Sequence, residues 1–461
     1  MQTLKSVLKG ALVALALCAV SAQAAPKKAP AEDPFAQLKA NAATAQGAAA
    51  PLPQNSSGAI VLPDPPVFNA KAWLLMDYRS GRVVTGHNIH ERIWPASLTK
   101  MMTSYVIGNE LMAGRLHLDD EVTIAEAAWS KRYTDSSKMF IEVGKSVKVG
   151  DLYRGIIIQS GNDACVAMAL HLAGSEEGFV SVMNTYAKQL GLNETHFANV
   201  HGLFDEQNYS TAYDMALLGR ALIHDQPEEY AIYKEKEFTF NGIKQYNRNR
   251  LLWDKELNAD GIKTGHLSQV GYNLVSSAVQ GDMRLIAAVI GANSDKERAA
   301  FNKALLNYGF HYFEEYMPFK ADQTLLTREV RLGNRNKVNI GLQEDLGLLI
   351  PRGSKDKVKA TYRLARSVFT APINEGDELG QVEIKYGDKL LGTAPLVARE
   401  SIAEGGFFSR TWDKVTMFFS SSDEEGETAA ADTSEAAGSA PADKTQETAV
   451  QSGAVKESVS E

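Results

Sequence analysis

Two cysteines in 461 residues, Cys18 and Cys165, exclude a disulfide-stapled scaffold. Cys18 falls inside a segment read below as cleaved. The mature chain then holds one thiol and no internal disulfide, and its stability has to come from packing. The nine histidines show no metal-ligand spacing and no glycine-rich phosphate loop is present, so neither a metal nor a cofactor is expected. Basic excess is lacking too. Lys and Arg number 48 against 56 Asp and Glu, a formal net charge of −8, and no nucleic-acid footprint is expected.

What is present begins with Lys5 and Lys9 ahead of the apolar run Ala11 to Val20, followed by the small-residue pattern Ala22-Gln23-Ala24. That combination predicts a secretory signal peptide over residues 1–24. Leu17 stands where a lipoprotein signal ending at Cys18 needs a small residue. Residues 25–63, rich in Ala, Pro, Gln and Asn, read as a flexible linker. Ala72 to Met76 reads as a buried strand, Arg79-Ser80-Gly81 as a turn and Val83-Val84 as the start of a second strand.

Three short stretches carry chemistry. In the first, Pro95 precedes Ser97-Leu98-Thr99-Lys100, and Leu98, Met101, Met102, Tyr105 and Val106 have helical spacing. A helix starting near Pro95 puts Ser97 in its first turn and Lys100 on the same face. Lysine whose proton affinity is lowered by burial or by other cations can take the proton of such a serine. Ser-x-x-Lys alone is weak evidence, since Ser6/Lys9 and Ser354/Lys357 repeat it. In the second, Ser160-Gly161-Asn162 links two apolar helical runs, Leu152 to Ile158 and Ala164 to Leu172. As residues these are either a plain turn or a proton relay (Ser160) beside a group holding Lys100 or a substrate amide (Asn162). In the third, Lys263-Thr264-Gly265-His266 leads into two strand-like runs, Tyr272 to Val279 and Met283 to Ile290, that predict a hairpin about Gly281-Asp282. Gly265 lets a ligand backbone approach the strand closely.

The three motifs in this order are the signature of penicillin-binding proteins and serine β-lactamases. From roughly Asp64 to Phe419 the chain resembles the D-alanyl-D-alanine carboxypeptidases among the low-molecular-weight penicillin-binding proteins. The resemblance implies an α+β fold: a serine β-lactamase/DD-peptidase-like catalytic domain over residues 64–317, a small antiparallel β domain over 318–400 and a C-terminal amphipathic helix. It implies that Ser97 attacks the penultimate D-alanine of a peptidoglycan stem pentapeptide, with Lys100 as base. Ser160 then passes a proton to the leaving amine, Lys263 tunes that transfer and Asn162 positions the substrate amide. Ser97 and His266 would supply oxyanion N–H groups. Thr264, Gly265, Arg248 and Arg298 would line the substrate site, the cations facing its free carboxylate. Each arginine taken alone also fits a surface salt bridge. No Glu-x-x-x-Asn element between Ser160 and Lys263 is assigned the deacylating role of class A β-lactamases, which favours a peptidase that β-lactam antibiotics trap. A DD-endopeptidase, a β-lactamase or a non-catalytic penicillin-binding scaffold are the alternatives. Cys165 reads as a packing residue near the pocket.

Past Met317 the pattern alternates with period two, as in Val338-x-Ile340-x-Leu342 and Val382-x-Ile384-x-Tyr386, which predicts the β domain. Over residues 401–421, Phe408, Trp412, Val415 and Phe419 share one helical face. This predicts a helix in the membrane interface, too short and polar to span it. In the family such a helix is the anchor to the periplasmic face of the inner membrane. Residues 422–461 read as a disordered tail whose ten acids face two lysines, the same net charge as the whole chain.

Overall fold

The computed structural model describes residues 62–406. The expected signal peptide, nearly all of the linker, the tail and most of the anticipated C-terminal helix lie outside them.

The catalytic region is built on an antiparallel sheet of β1 (Ala72–Asp77), β2 (Val83–His87), β3 (Ala259–Leu267), β4 (Gly271–Gln280) and β5 (Met283–Ala292), in spatial order β2-β1-β5-β4-β3. Strand β1 has no polar alternation because both its faces are covered. Leu74 and Met76 join a core with Met101, Met215 and Leu218. Trp73 and Leu75 join a second core with Leu305, Leu306 and Phe310. The first core includes helices α1 (Thr99–Met112), α2 (Asn162–Ala173) and α3 (Ala212–Asp225), and the second includes α4 (Asp295–Tyr312). Each fully buried Leu or Ile contributes about 1.5–3 kcal/mol to this sandwich. The expected hairpin forms: β4 pairs β5 with Gln280 opposite Met283, and Gly281 takes a φ of 59° in the turn. Strand β3 ends the sheet, so its outer edge is open to the cleft.

The β unit starts with the strand Phe313–Phe319, directly after α4, paired with Leu346–Pro351. Its six-stranded sheet buries Val338, Ile340, Val382, Ile384 and Leu396, the inward half of the period-two pattern. One pairing departs from antiparallel: Val330 to Arg331 runs parallel to Phe369–Thr370. Arg352 of this unit caps α4, donating from Nη2 to the carbonyls of Phe310 and Phe313 at 2.9 and 3.0 Å. The first residues of the anticipated helix are extended instead. Ile402 is fully buried and bridges Ile373, and Glu404 bridges Gly333, so the β core takes the chain before any helix begins.

Candidate active site

Ser97 stands on the 3-10 turn Ala96–Leu98, immediately before α1, rather than within the α-helix proper. Crowding explains the offset. Ala96 adopts a left-handed φ of 53° between two glycines. A Cβ on Gly265 would lie 3.2 Å from the Ala96 Cβ and 3.3 Å from the Ser97 nitrogen. A Cβ on Gly202 would lie 1.8 Å from the Ala96 carbonyl oxygen. Asn273 ties the turn to the sheet, donating to the Pro95 carbonyl at 3.4 Å.

One turn along, Lys100 is 1% exposed. Its Nζ donates to Ser97 Oγ at 3.2 Å, to Asn162 Oδ1 at 2.7 Å and to the His201 carbonyl. Burial, assisted by the positive Arg248, lowers its proton affinity to a pKa of about 8. Lys263, on β3, is buried, and burial together with Lys100, Arg248 and Arg298 holds it well below the ordinary lysine range. The Cys165 thiol is pushed up to about 12 by burial, so it stays neutral and offers Lys100 no counter-charge.

Ser160 follows the wide π-turn Gly155–Gln159 and takes a left-handed φ of 66°. Its Oγ is buried with no hydrogen-bond partner among the described residues. An unpaired hydroxyl facing a cleft in strained backbone is a feature of functional sites. Asn162 also donates to Ser136 Oγ at 2.9 Å.

Ser97, Ser160, Asn162, Thr264, Gly265 and His266 line one cleft of about 1190 Å³, whereas the buried Lys100 and Lys263 are not among its lining residues. Arg248 and Arg298 line it too, making the walls cationic. Arg248 donates to Ser137 Oγ at 2.6 Å. Arg298 is nearly buried, donating to the Gly265 carbonyl at 2.9 Å and pairing with Asp295. It therefore braces β3 as well as adding charge.

A family model described as D-alanyl-D-alanine carboxypeptidase matches residues 60–294. The D-alanyl-D-alanine carboxypeptidase DacC of Escherichia coli (strain K12) is 51% identical over 357 residues, covering 77% of this chain and 89% of the relative. The chain belongs to the D-alanyl-D-alanine carboxypeptidase family. DacA of the same organism is 48% identical over 362 residues, 78% of this chain and 90% of its own. The crystal structure of penicillin-binding protein 5 from Haemophilus influenzae is 47% identical with a TM-score of 0.71, covering 74% of this chain and 99% of that one. The model of the penicillin-binding protein 5 C-terminal domain matches residues 313–404, the β unit.

Other residues that build this carboxypeptidase cleft escaped the sequence reading. Asp163 is buried, and its carboxylate accepts the backbone N–H groups of Met139 at 2.8 Å, Phe140 at 3.0 Å and Ala164 at 2.9 Å. It thereby moulds the wall that carries Ser136 and Ser137. His201 offers its carbonyl to Lys100, and burial lowers its ring to a pKa of about 3, so the imidazole is neutral. No motif announces either role, because each contact joins a side chain to a backbone atom, and those to Met139, Phe140 and Lys100 cross 24, 23 and 101 residues of chain. Glu237 and Asn241 have the spacing of a deacylating pair, yet Glu237 sits on the surface hairpin Glu237–Tyr246 and pairs with Lys244 at 2.8 Å. Neither Glu237 nor Asn241 lines the cleft.

Proposed function

We propose that Ser97 is the residue acylated when this protein acts on its substrate, and that Lys100 is the base. The protein is a serine-type D-Ala-D-Ala carboxypeptidase, a hydrolase that β-lactams acylate. The observation that carries the residue assignment is the buried Lys100 ammonium bridging Ser97 Oγ and Asn162 Oδ1. Ser97 Oγ attacks the carbonyl carbon of the penultimate D-alanine and gives its proton to neutral Lys100. The oxyanion is met by the N–H groups of Ser97 and His266. Ser160 passes a proton to the amine of the departing D-alanine as the C–N bond breaks, with Lys263 favouring that transfer electrostatically. Asn162 holds the substrate amide, Thr264 and Gly265 line the strand edge it pairs with, and Arg248 and Arg298 attract its terminal carboxylate. Water then hydrolyses the ester.

Mass spectrometry tests this assignment. Incubation with a D-Ala-D-Ala pentapeptide is expected to remove one D-alanine, and benzylpenicillin to leave a lasting adduct on Ser97. An adduct on another residue overturns the assignment, and rapid loss of the adduct with intact pentapeptide identifies a β-lactamase instead.

Localisation follows from the sequence. Residues 1–24 direct export, and the apolar face of Phe408, Trp412, Val415 and Phe419 lies on the periplasmic surface of the inner membrane. The mature chain is expected to cosediment with phospholipid vesicles and Trp412→Asp to weaken this; a parent chain that stays in the supernatant removes the anchor from the proposal.

A further inference from the structure

Beside the nucleophile lies an apolar surface that acyl transfer does not use. Leu203 and Phe204 are 38% and 45% exposed, and both line the cleft that holds Ser97. The Phe204 ring stands edge-on to Trp94, with centroids 5.0 Å apart. Large apolar side chains held in water cost free energy, and a mobile loop would turn them inward. This loop is tied at both ends. Asn199 Oδ1 accepts the N–H of Gly202 at 2.6 Å, and its Nδ2 donates to the Leu203 carbonyl at 3.1 Å. Gly202 is wedged against Ala96 with a φ of 82°. On the far side Arg92 donates to the Glu206 carbonyl at 2.9 Å while its guanidinium lies 3.6 Å over the Tyr209 ring. The apolar side chains are therefore displayed rigidly on one wall of the cleft.

Position narrows what they meet. Phe204 is two residues from Gly202, which abuts the Ser97 turn, so its Cα lies no more than about 7 Å from that of Gly202. That puts it within reach of the residue next to the acylated one in an extended peptide on Ser97, whereas a sugar at the far end of the stem lies several residues further on.

We propose that Leu203 and Phe204, backed by Trp94, form a specificity shelf for the side chain of the residue preceding the D-Ala-D-Ala pair, a diamino acid in the stem pentapeptide. The shelf rests on the carboxypeptidase reading above. A long aliphatic side chain with a charged tip lies along such an apolar wall while the tip stays in water.

The test compares two peptides, Nα-acetyl-L-lysyl-D-Ala-D-Ala, whose side-chain amine keeps its charge, and acetyl-glycyl-D-Ala-D-Ala, on the parent and on Phe204→Ala. The parent prefers the lysyl peptide in kcat/KM. In Phe204→Ala that preference falls about tenfold, chiefly through KM, and Phe204→Leu recovers part of it. A preference equal in Phe204→Ala and the parent overturns the shelf. The readout is a ratio within one sample, so a smaller folded fraction does not move it. A parent that releases D-alanine from neither peptide overturns the carboxypeptidase reading, and the shelf with it.

Discussion

Ser97→Ala is expected to lower D-alanine release by at least about 10,000-fold and to abolish covalent labelling by penicillin. The fold should survive. Ser97 is half-buried, and its side chain accepts one hydrogen bond, from Lys100 at 3.2 Å, while the turn beneath it is held by Gly202, Gly265 and Asn273 through backbone contacts. Melting within a few degrees of the parent, alongside lost labelling, separates a missing nucleophile from a missing fold. Labelling that persists refutes Ser97 as the acylated residue. A cell that loses its phenotype only on deletion of the β unit, and never with Ser97→Ala, would instead show a scaffold.

Removing the base comes next in size. Lys100→Ala should cost about 1,000-fold in the acylation rate. The parent's pH profile carries the finer signature. Only the neutral amine accepts the Ser97 proton, and burial has brought Lys100 to about 8. The rate of acylation should therefore rise with pH through that value and fall below it. Arg248 pushes Lys100 in the same direction as burial. Replacing it by glutamine removes a repulsive charge, favours the protonated lysine and moves the limb to higher pH. A limb that stays in place in Arg248→Gln, or moves down, contradicts this arrangement of charges.

Much of this was legible because the chemistry is local. Ser97 and Lys100 are one turn apart, Ser160 and Asn162 share a tight link, and Lys263 to His266 are consecutive on a strand, so short spacing alone groups them. The unbroken apolar run of β1 and the Gly281 turn reported the sheet in the same way. The 3-10 start of the Ser97 turn was not legible, because its cause is the approach of Gly202 and Gly265 from elements more than 100 residues away. Asp163 and His201 were missed for a related reason: they act on or through backbone atoms, which leave no residue pattern. Arg298 was legible as a cation but not as a brace, since its partner is the Gly265 carbonyl. The extended path at Ile402 was missed because the aromatic spacing that follows suggests an earlier helix start than the β core permits.

Helix α4 spans 18 residues, about 27 Å of rigid rod. Near its start Arg298 holds the strand edge of the cleft, and at its finish Arg352 clasps the last carbonyls. Such a rod leaves no slack at the junction. The chain passes from the last turn of α4 straight into the strand Phe313–Phe319, so a shift of the β unit strains the Arg352 clasp on the helix end rather than being taken up by a linker.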